Sequence, residues 1–250
     1  MFNLGMVAER SGRFQDSVDY KLQSLALDRS NGDRIGEAIT LGGLGAAHER
    51  MGRLEEATGY YRQSLIVARE TGNPRGEALA LHGMGEIEAR TGHYGPAGDH
   101  LEQALRLYRQ VGDRASEAGA LEGLGQLHTS LGLLDRAVEA FEQALAIFEE
   151  AGNNNNVAIV RNGLGEVAHA AGRPADAVTH HVAARTLAVA TGNRLEQARA
   201  HTGLGHAHRA LGEPGRAADA YRQALTLYTG LGLLPEADRI RAHLAEVDSA

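Results

Sequence analysis

Glycine recurs in this chain at an interval of 40 residues, and it does so in four registers at once. Gly5, Gly45, Gly85, Gly125, Gly165 and Gly205 form one; Gly12, Gly52, Gly92, Gly132, Gly172 and Gly212 a second; Gly32, Gly72, Gly112, Gly152, Gly192 and Gly232 a third; Gly43, Gly83, Gly123, Gly163 and Gly203 a fourth. No insertion breaks the phase, so the chain holds six copies of one unit, and repetition of that kind signals an array of stacked supersecondary units. Each unit reads as two helices. In the second, Leu41, Leu44, Gly45 and His48 share one face at i, i+3, i+4, i+7, and Ala57, Tyr61, Ser64, Leu65 and Ala68 share another. Asp33, Asn73, Asp113, Asn153 and Asn193 sit where an N-cap accepts orphan N–H groups. Two glycine registers, those of Gly12 and Gly32, fall where a helix ends on a left-handed residue. Pro74, Pro96, Pro174, Pro214 and Pro235 all land in a first helical turn, where the missing N–H costs nothing.

The Gly45 register lies inside a helix, where glycine costs ~1 kcal/mol against alanine. Ala57, Ala97, Ala137, Ala177 and Ala217 stand in a matching register on the next helix. The expectation is small residue against small residue, bringing the two helices of a hairpin close. A phosphate-loop reading of the glycines fails, because no strand precedes them and GxGxxG is never completed.

Composition narrows the function. Apolar residues make up 43% and aromatics only 4%, with no Trp, which suits a thin two-layer helical stack better than a thick core. The net charge of −7 argues against direct nucleic-acid binding. There is no cysteine, so disulfides and thiolate chemistry are excluded. No apolar run reaches the ~18 residues of a membrane span, and MFNLGMVAERSGR lacks a signal peptide's pattern; a cytoplasmic location is expected. The sole lysine, Lys21, stands against a large excess of arginine, as in a GC-rich bacterial genome.

The small residue at Gly45, the break at Gly52, Ala57, the aromatic Tyr61 and the small Ser64 resemble the tetratricopeptide repeat (TPR) consensus. So do Leu121, Leu124, Gly125, His128, Gly132, Ala137, Phe141 and Ala144 of the fourth unit. The period is similar to that of Pins-like and kinesin-light-chain-like arrays and of the TPR regions of actinobacterial regulators and signalling ATPases. The resemblance implies an all-α, right-handed α-solenoid of about six hairpins: an array over 1–232 (1–32, 33–72, 73–112, 113–152, 153–192, 193–232) and a capping helix over 233–250. The proline that commonly ends the second helix is missing. Where Pins-like arrays carry a peptide-contacting asparagine this chain has glycine, keeping only Asn3, so that ligand mode is not carried over. The fifth unit departs most: Arg161, His181 and Arg185 occupy apolar positions, which predicts the softest part of the array. The first unit starts inside its first helix, and the expectation is a piece of a longer protein or a start site inside an array.

In this family the first helices line a concave layer. Glu49 and Arg50, then His82, Glu86 and Arg90, then Glu122 and Gln126, then Asn162, Glu166 and His169, then His206 and Arg209 trace the unpacked face and form the candidate peptide groove. Its middle reads as acidic through Glu86, Glu122 and Glu166, so the expected partner is a protein or peptide segment bearing basic residues. The expected role is the regulatory part of a larger bacterial signalling or transcription-regulating protein; a self-associating scaffold is the alternative. No catalytic motif is present, and neither an enzyme nor a cofactor is expected. His48, His128 and His208 read as packing groups two units apart. His169, His206 and Glu166 could approach one another, but zinc would need three such ligands near 2 Å, and no metal is expected.

Overall fold

A computed structural model describes residues 14–248, and among them every regular element is a helix. There are twelve: α1 (Phe14–Asn31), α2 (Arg34–Arg50), α3 (Leu54–Glu70), α4 (Pro74–Arg90), α5 (Tyr94–Val111), α6 (Arg114–Ser130), α7 (Leu134–Glu150), α8 (Asn154–Ala170), α9 (Pro174–Ala190), α10 (Arg194–Ala210), α11 (Pro214–Gly230) and α12 (Leu234–Asp248). The helix expected before Gly12, like Asn3 and Gly5, lies outside the described residues. The chain groups into two compact halves, residues 1–127 and 128–250. In the first, α2 packs on α3, α4 on α5, and α4 also on α2; in the second, α8 packs on α9, α10 on α11, and α10 also on α8. Each half is thus a stack of hairpins whose first helices touch from one repeat to the next.

The turns explain the regular period. Gly52 takes a left-handed φ of 74°, which a side chain would make costly. Its N–H donates to Glu49 O at 2.9 Å and that of Arg53 to His48 O at 2.9 Å, the double closure that satisfies a helix's last carbonyls. Between repeats one residue serves both helices. The Asn73 N–H donates to Ala68 O at 2.8 Å, ending α3, while its side chain accepts from the Gly76 N–H at 3.1 Å, starting α4. Asp33, Asp113, Asn153 and Asn193 cap in the same way.

The internal glycines do something other than expected. A Cβ on Gly45 would lie 2.7 Å from the Tyr61 ring, and a Cβ on Gly83, in the next repeat, 2.2 Å from Tyr61 Cζ. Tyr61, 3% exposed, is therefore clasped between two glycines, one from each neighbouring first helix. Leu101 lies the same way between Gly85 and Gly123, and His181 between Gly165 and Gly203. Glycine meets a bulky side chain first, and the alanine of the matching register comes second: at Gly85 the Leu101 side chain is 2.8 Å and the Ala97 carbonyl oxygen 3.2 Å from the Cβ position. The bulky side chain fills the close approach instead of being excluded from it.

The halves differ in their polar ties. Arg29–Glu37, Arg69–Glu77 and Arg109–Glu117 bond at 2.8, 2.8 and 2.9 Å, each tying a second helix to the next first helix. Among the described residues the C-terminal half, with Val157, Gln197 and Ala237 at the glutamate's register, makes no such ion pair there; the Gln197 amide donates to Ala188 O at 3.0 Å in its place. It holds a buried network instead. His181, 1% exposed, places Nδ1 3.0 Å from Asn162 Oδ1, and the Asn162 amide donates to Glu196 O and Oε2 at 3.1 and 2.9 Å. Because the amide nitrogen faces Glu196, its oxygen is left to accept from a His181 Nδ1–H. Burial, aided by the positive charge of Arg199, pushes the His181 imidazole down to about 3, so it is neutral at pH 7. The polar residue expected to loosen the fifth repeat has a partner.

Candidate peptide-binding face

In the N-terminal half, the last turn of α2 supplies Glu49 and Arg50 and the successive turns of α4 supply His82, Glu86 and Arg90. These five surround one depression of 310 Å³, with Ala46 and Leu79 on its walls and Tyr61 and Gly83 at its base. The helix geometry that buries Leu81 and Met84 leaves His82, Glu86 and Arg90 on the other side of α4. Glu49 is fixed on both oxygens: the Arg90 guanidinium donates to Oε1 at 2.9 Å and the Tyr61 hydroxyl to Oε2 at 3.0 Å. Burial, with the repulsion of Glu86, raises the Glu49 carboxyl above its usual range.

His82 Nε2 lies 3.4 Å from Glu86 Oε1, and its ring meets Tyr108 edge-on at 6.0 Å. Burial works to lower the imidazole's pKa, but Glu86, Glu122 and Glu49 outweigh it and the net direction is up. Burial likewise works to raise Glu86; His82, Arg90 and Arg50 reverse it and hold the carboxyl below its usual range. Glu86 remains 45% exposed on its side chain. On α6, the Gln126 amide donates to Glu122 Oε1 at 2.8 Å. The surface is one of alternating charge, with Glu86 and Glu122 flanking a histidine, and not a uniformly acidic stripe.

In the C-terminal half the expected residues separate. Asn162 is fully buried and committed to His181 and Glu196, so it does not line a groove; its amide turns inward because a buried imidazole needs a partner. Glu166 is exposed but accepts from Arg199 at 2.9 Å, which neutralises its part of the expected acidic run. His169 and His206 do approach, with rings stacked at 5.9 Å, and His206 also meets His243 of α12 at 4.8 Å. The Tyr221 hydroxyl bonds His206 Nδ1 at 2.7 Å. Burial and the neighbouring His243 and His169 push His206 down to about 4, leaving it neutral at pH 7. Arg209 donates to Glu246 at 2.6 Å. Among the described residues no group of three or more His, Cys, Asp or Glu could hold a metal ion.

His48 packs its ring on Tyr60 at 5.0 Å, as a packing histidine should, while His208 is held by Glu213 at 2.7 Å. Reading the sequence missed Tyr61 as the floor of the depression, together with Arg199, His243 and Glu246. Only Tyr61 left a signal, the bulky residue recurring through Leu101, Phe141, His181 and Tyr221.

A tetratricopeptide repeat family model matches residues 1–70, 36–110, 76–150, 116–188 and 156–230. The chain belongs to the tetratricopeptide repeat family. No curated protein matches it in sequence. Among solved structures it is similar to a Signal Transduction ATPase with Numerous Domains with a tetratricopeptide repeat sensor from Pyrococcus horikoshii, at TM-score 0.75 and 15% identity over 99% of this chain and 38% of that one. It is also similar to a Rap protein complexed with competence and sporulation factor, at TM-score 0.73 and 17% identity over 99% of this chain and 74% of that one. BtubC (BKLC) from P. vanneervenii gives TM-score 0.71 and 19% identity over 88% and 92% of the two chains. At these identities the likeness concerns the fold. No described helix is long and apolar enough to cross a membrane.

Proposed function

We infer that this chain is a protein-interaction module that holds a peptide or protein segment on the exposed faces of its first helices. The observation that carries the reading is the depression between α2 and α4, where Arg90 is held by Glu49 and Glu86, though it lies 3.4 Å from His82, keeps 45% of its side chain exposed. An extended segment can hydrogen-bond there, and a Lys or Arg on it would face Glu86 and Glu122. The structure of a Rap protein complexed with competence and sporulation factor supports the mode. The Pyrococcus protein, whose repeats are called a sensor and of which this chain spans 38%, supports placement as the regulatory part of a larger signalling protein.

The test is to select peptides from a random display library on the purified protein, then measure their affinity for the parent and for the Glu86→Gln/Glu122→Gln variant. Selected peptides should be basic, and the variant should bind them several-fold more weakly with a flatter salt dependence, since these charges are screened over about 8 Å at physiological salt. Glu166→Gln should do less, because Arg199 already offsets that charge. Equal affinity and equal salt dependence in the double variant would place any ligand elsewhere.

A further inference from the structure

A second site lies in the C-terminal half, on the other side of α10. His201, Leu204 and His208 stand roughly 140–160° around that helix from His206, at ~100° per residue. With Arg185 of α9 and Arg216, Asp219 and Arg222 of α11 they line an open pocket of 440 Å³, within the ~300–1,000 Å³ of small-ligand sites. Two of its lining residues stand at positions that are apolar in other repeats. Arg185 stands where the other repeats carry Leu25, Leu65, Leu105, Leu145 and Leu225, and His201 where the first helices of three others carry Leu41, Leu81 and Leu121. In the first of these, Leu25 and Leu41 are buried in one apolar cluster. The equivalent pair here is a guanidinium beside an imidazole.

The other charges near the pocket are balanced. Arg222 donates to Asp219 at 2.9 Å, and Arg216 and His208 both bond Glu213, at 3.3 and 2.7 Å. Arg161, which also replaces a leucine of the repeat, donates to Glu149 at 2.9 Å. Arg185 has no carboxylate partner among the described residues; the group it acts on is His201, whose protonation it opposes. A half-buried guanidinium that displaces leucine, faces an open pocket and lacks an anion is one half of a bidentate pair.

We propose that this pocket binds an oxyanion, a phosphate or a carboxylate carried by a small ligand, with Arg185 as its principal donor and His201 and Arg222 beside it. The site is separate from the proposed peptide face. The experiment is an NMR titration of the full labelled chain with sodium phosphate, and in a second arm sodium acetate, at constant ionic strength set with sodium chloride. The Arg185 side-chain N–H and His201 ring resonances are followed. They should move and saturate, and Arg185→Leu, which installs the residue of the other repeats, should weaken binding at least tenfold. Arg185→Gln, of similar length and without charge, should do the same, whereas Arg161→Leu should leave it unchanged. Tighter saturation by phosphate than by acetate assigns a phosphoryl ligand, and the reverse order a carboxylate. Shifts that never saturate and that chloride reproduces overturn the proposal, as does either Arg185 variant binding like the parent.

Discussion

Placing a methyl group at Gly83 tests whether the glycines clasp the ring. A Cβ there would sit 2.2 Å from Tyr61 Cζ, and ordinary contact begins at 3.4 Å, so the ring would have to retreat by 1.2 Å. Retreat is limited on the far side by α2 itself, because the ring already sits in the space a Cβ on Gly45 would need, 2.7 Å from that position. Its hydroxyl is also held by Glu49 at 3.0 Å, a charge-assisted bond that the displacement would stretch or break. Overpacking of a closed site costs ~1–3 kcal/mol and sometimes more. The gain in helix propensity returns ~1 kcal/mol, and loss of the Glu49 bond opposes that gain. Gly83→Ala should therefore lower stability by about 1–3 kcal/mol, or Tm by roughly 3–10 °C at this chain length. Gly59 lies within α3 with nothing within 4 Å of its Cβ position. Gly59→Ala should gain propensity alone and raise Tm by roughly 1–4 °C. Both are read from thermal melts followed by circular dichroism, with urea midpoints as a check. Tyr61→Leu, the residue type Leu101 shows in the same register, should recover part of the Gly83→Ala loss in a double-mutant cycle. If Gly83→Ala raises Tm as Gly59→Ala does, the ring is not clasped and the register has another cause.

His181→Phe should destabilise by ~1–3 kcal/mol, even though phenylalanine fills the equivalent position at Phe141, because Asn162 Oδ1 would be left buried without a donor; a more stable variant would show that the network contributes nothing. Mild acid should weaken the C-terminal half first. His181 at about 3 and His206 at about 4 lie below the ~6.5 of an unfolded histidine. Their stabilisation is complete above pH ~6.5 and is lost as pH falls through the folded values. His82 has the opposite sign, its raised pKa adding stability as pH falls. Hydrogen exchange corrected for intrinsic rates, compared at pH 7 and 5, should show faster opening around α8–α10 than around α2–α4, and equal change in both would contradict the assignment.

The turn chemistry was legible in the sequence because each turn depends on few residues. A left-handed glycine and an Asp or Asn beyond it suffice, and the prolines fall where a first turn accepts them. Close packing was less legible. The partner of Gly45 could be read as Ala57 because both recur in phase, but Tyr61 is set by three helices at once, and one of the two glycines that admit it belongs to the next repeat. Asn162 read as a groove residue because its helix face pointed that way; the burial of His181, nineteen positions on, decided otherwise. His243 and Glu246 fall within the stretch read only as a capping helix, since nothing local in α12 shows that Tyr221 and Arg209 lie against it.

The residue shared between consecutive hairpins has a consequence for how such a chain can change length. Asn73 closes α3 through its backbone and opens α4 through its side chain, so the joint has no spare residue to absorb a slip. One extra amino acid there would separate the two tasks, leaving either the last carbonyls of one helix or the first amides of the next without a partner. It would also turn the following first helix by about 100° and carry its glycines away from the ring they admit. Loss or gain of a whole 40-residue block restores every joint and every slot. Length in this chain is therefore quantised, and duplication or excision of complete hairpins is the form of insertion and deletion that its joints tolerate.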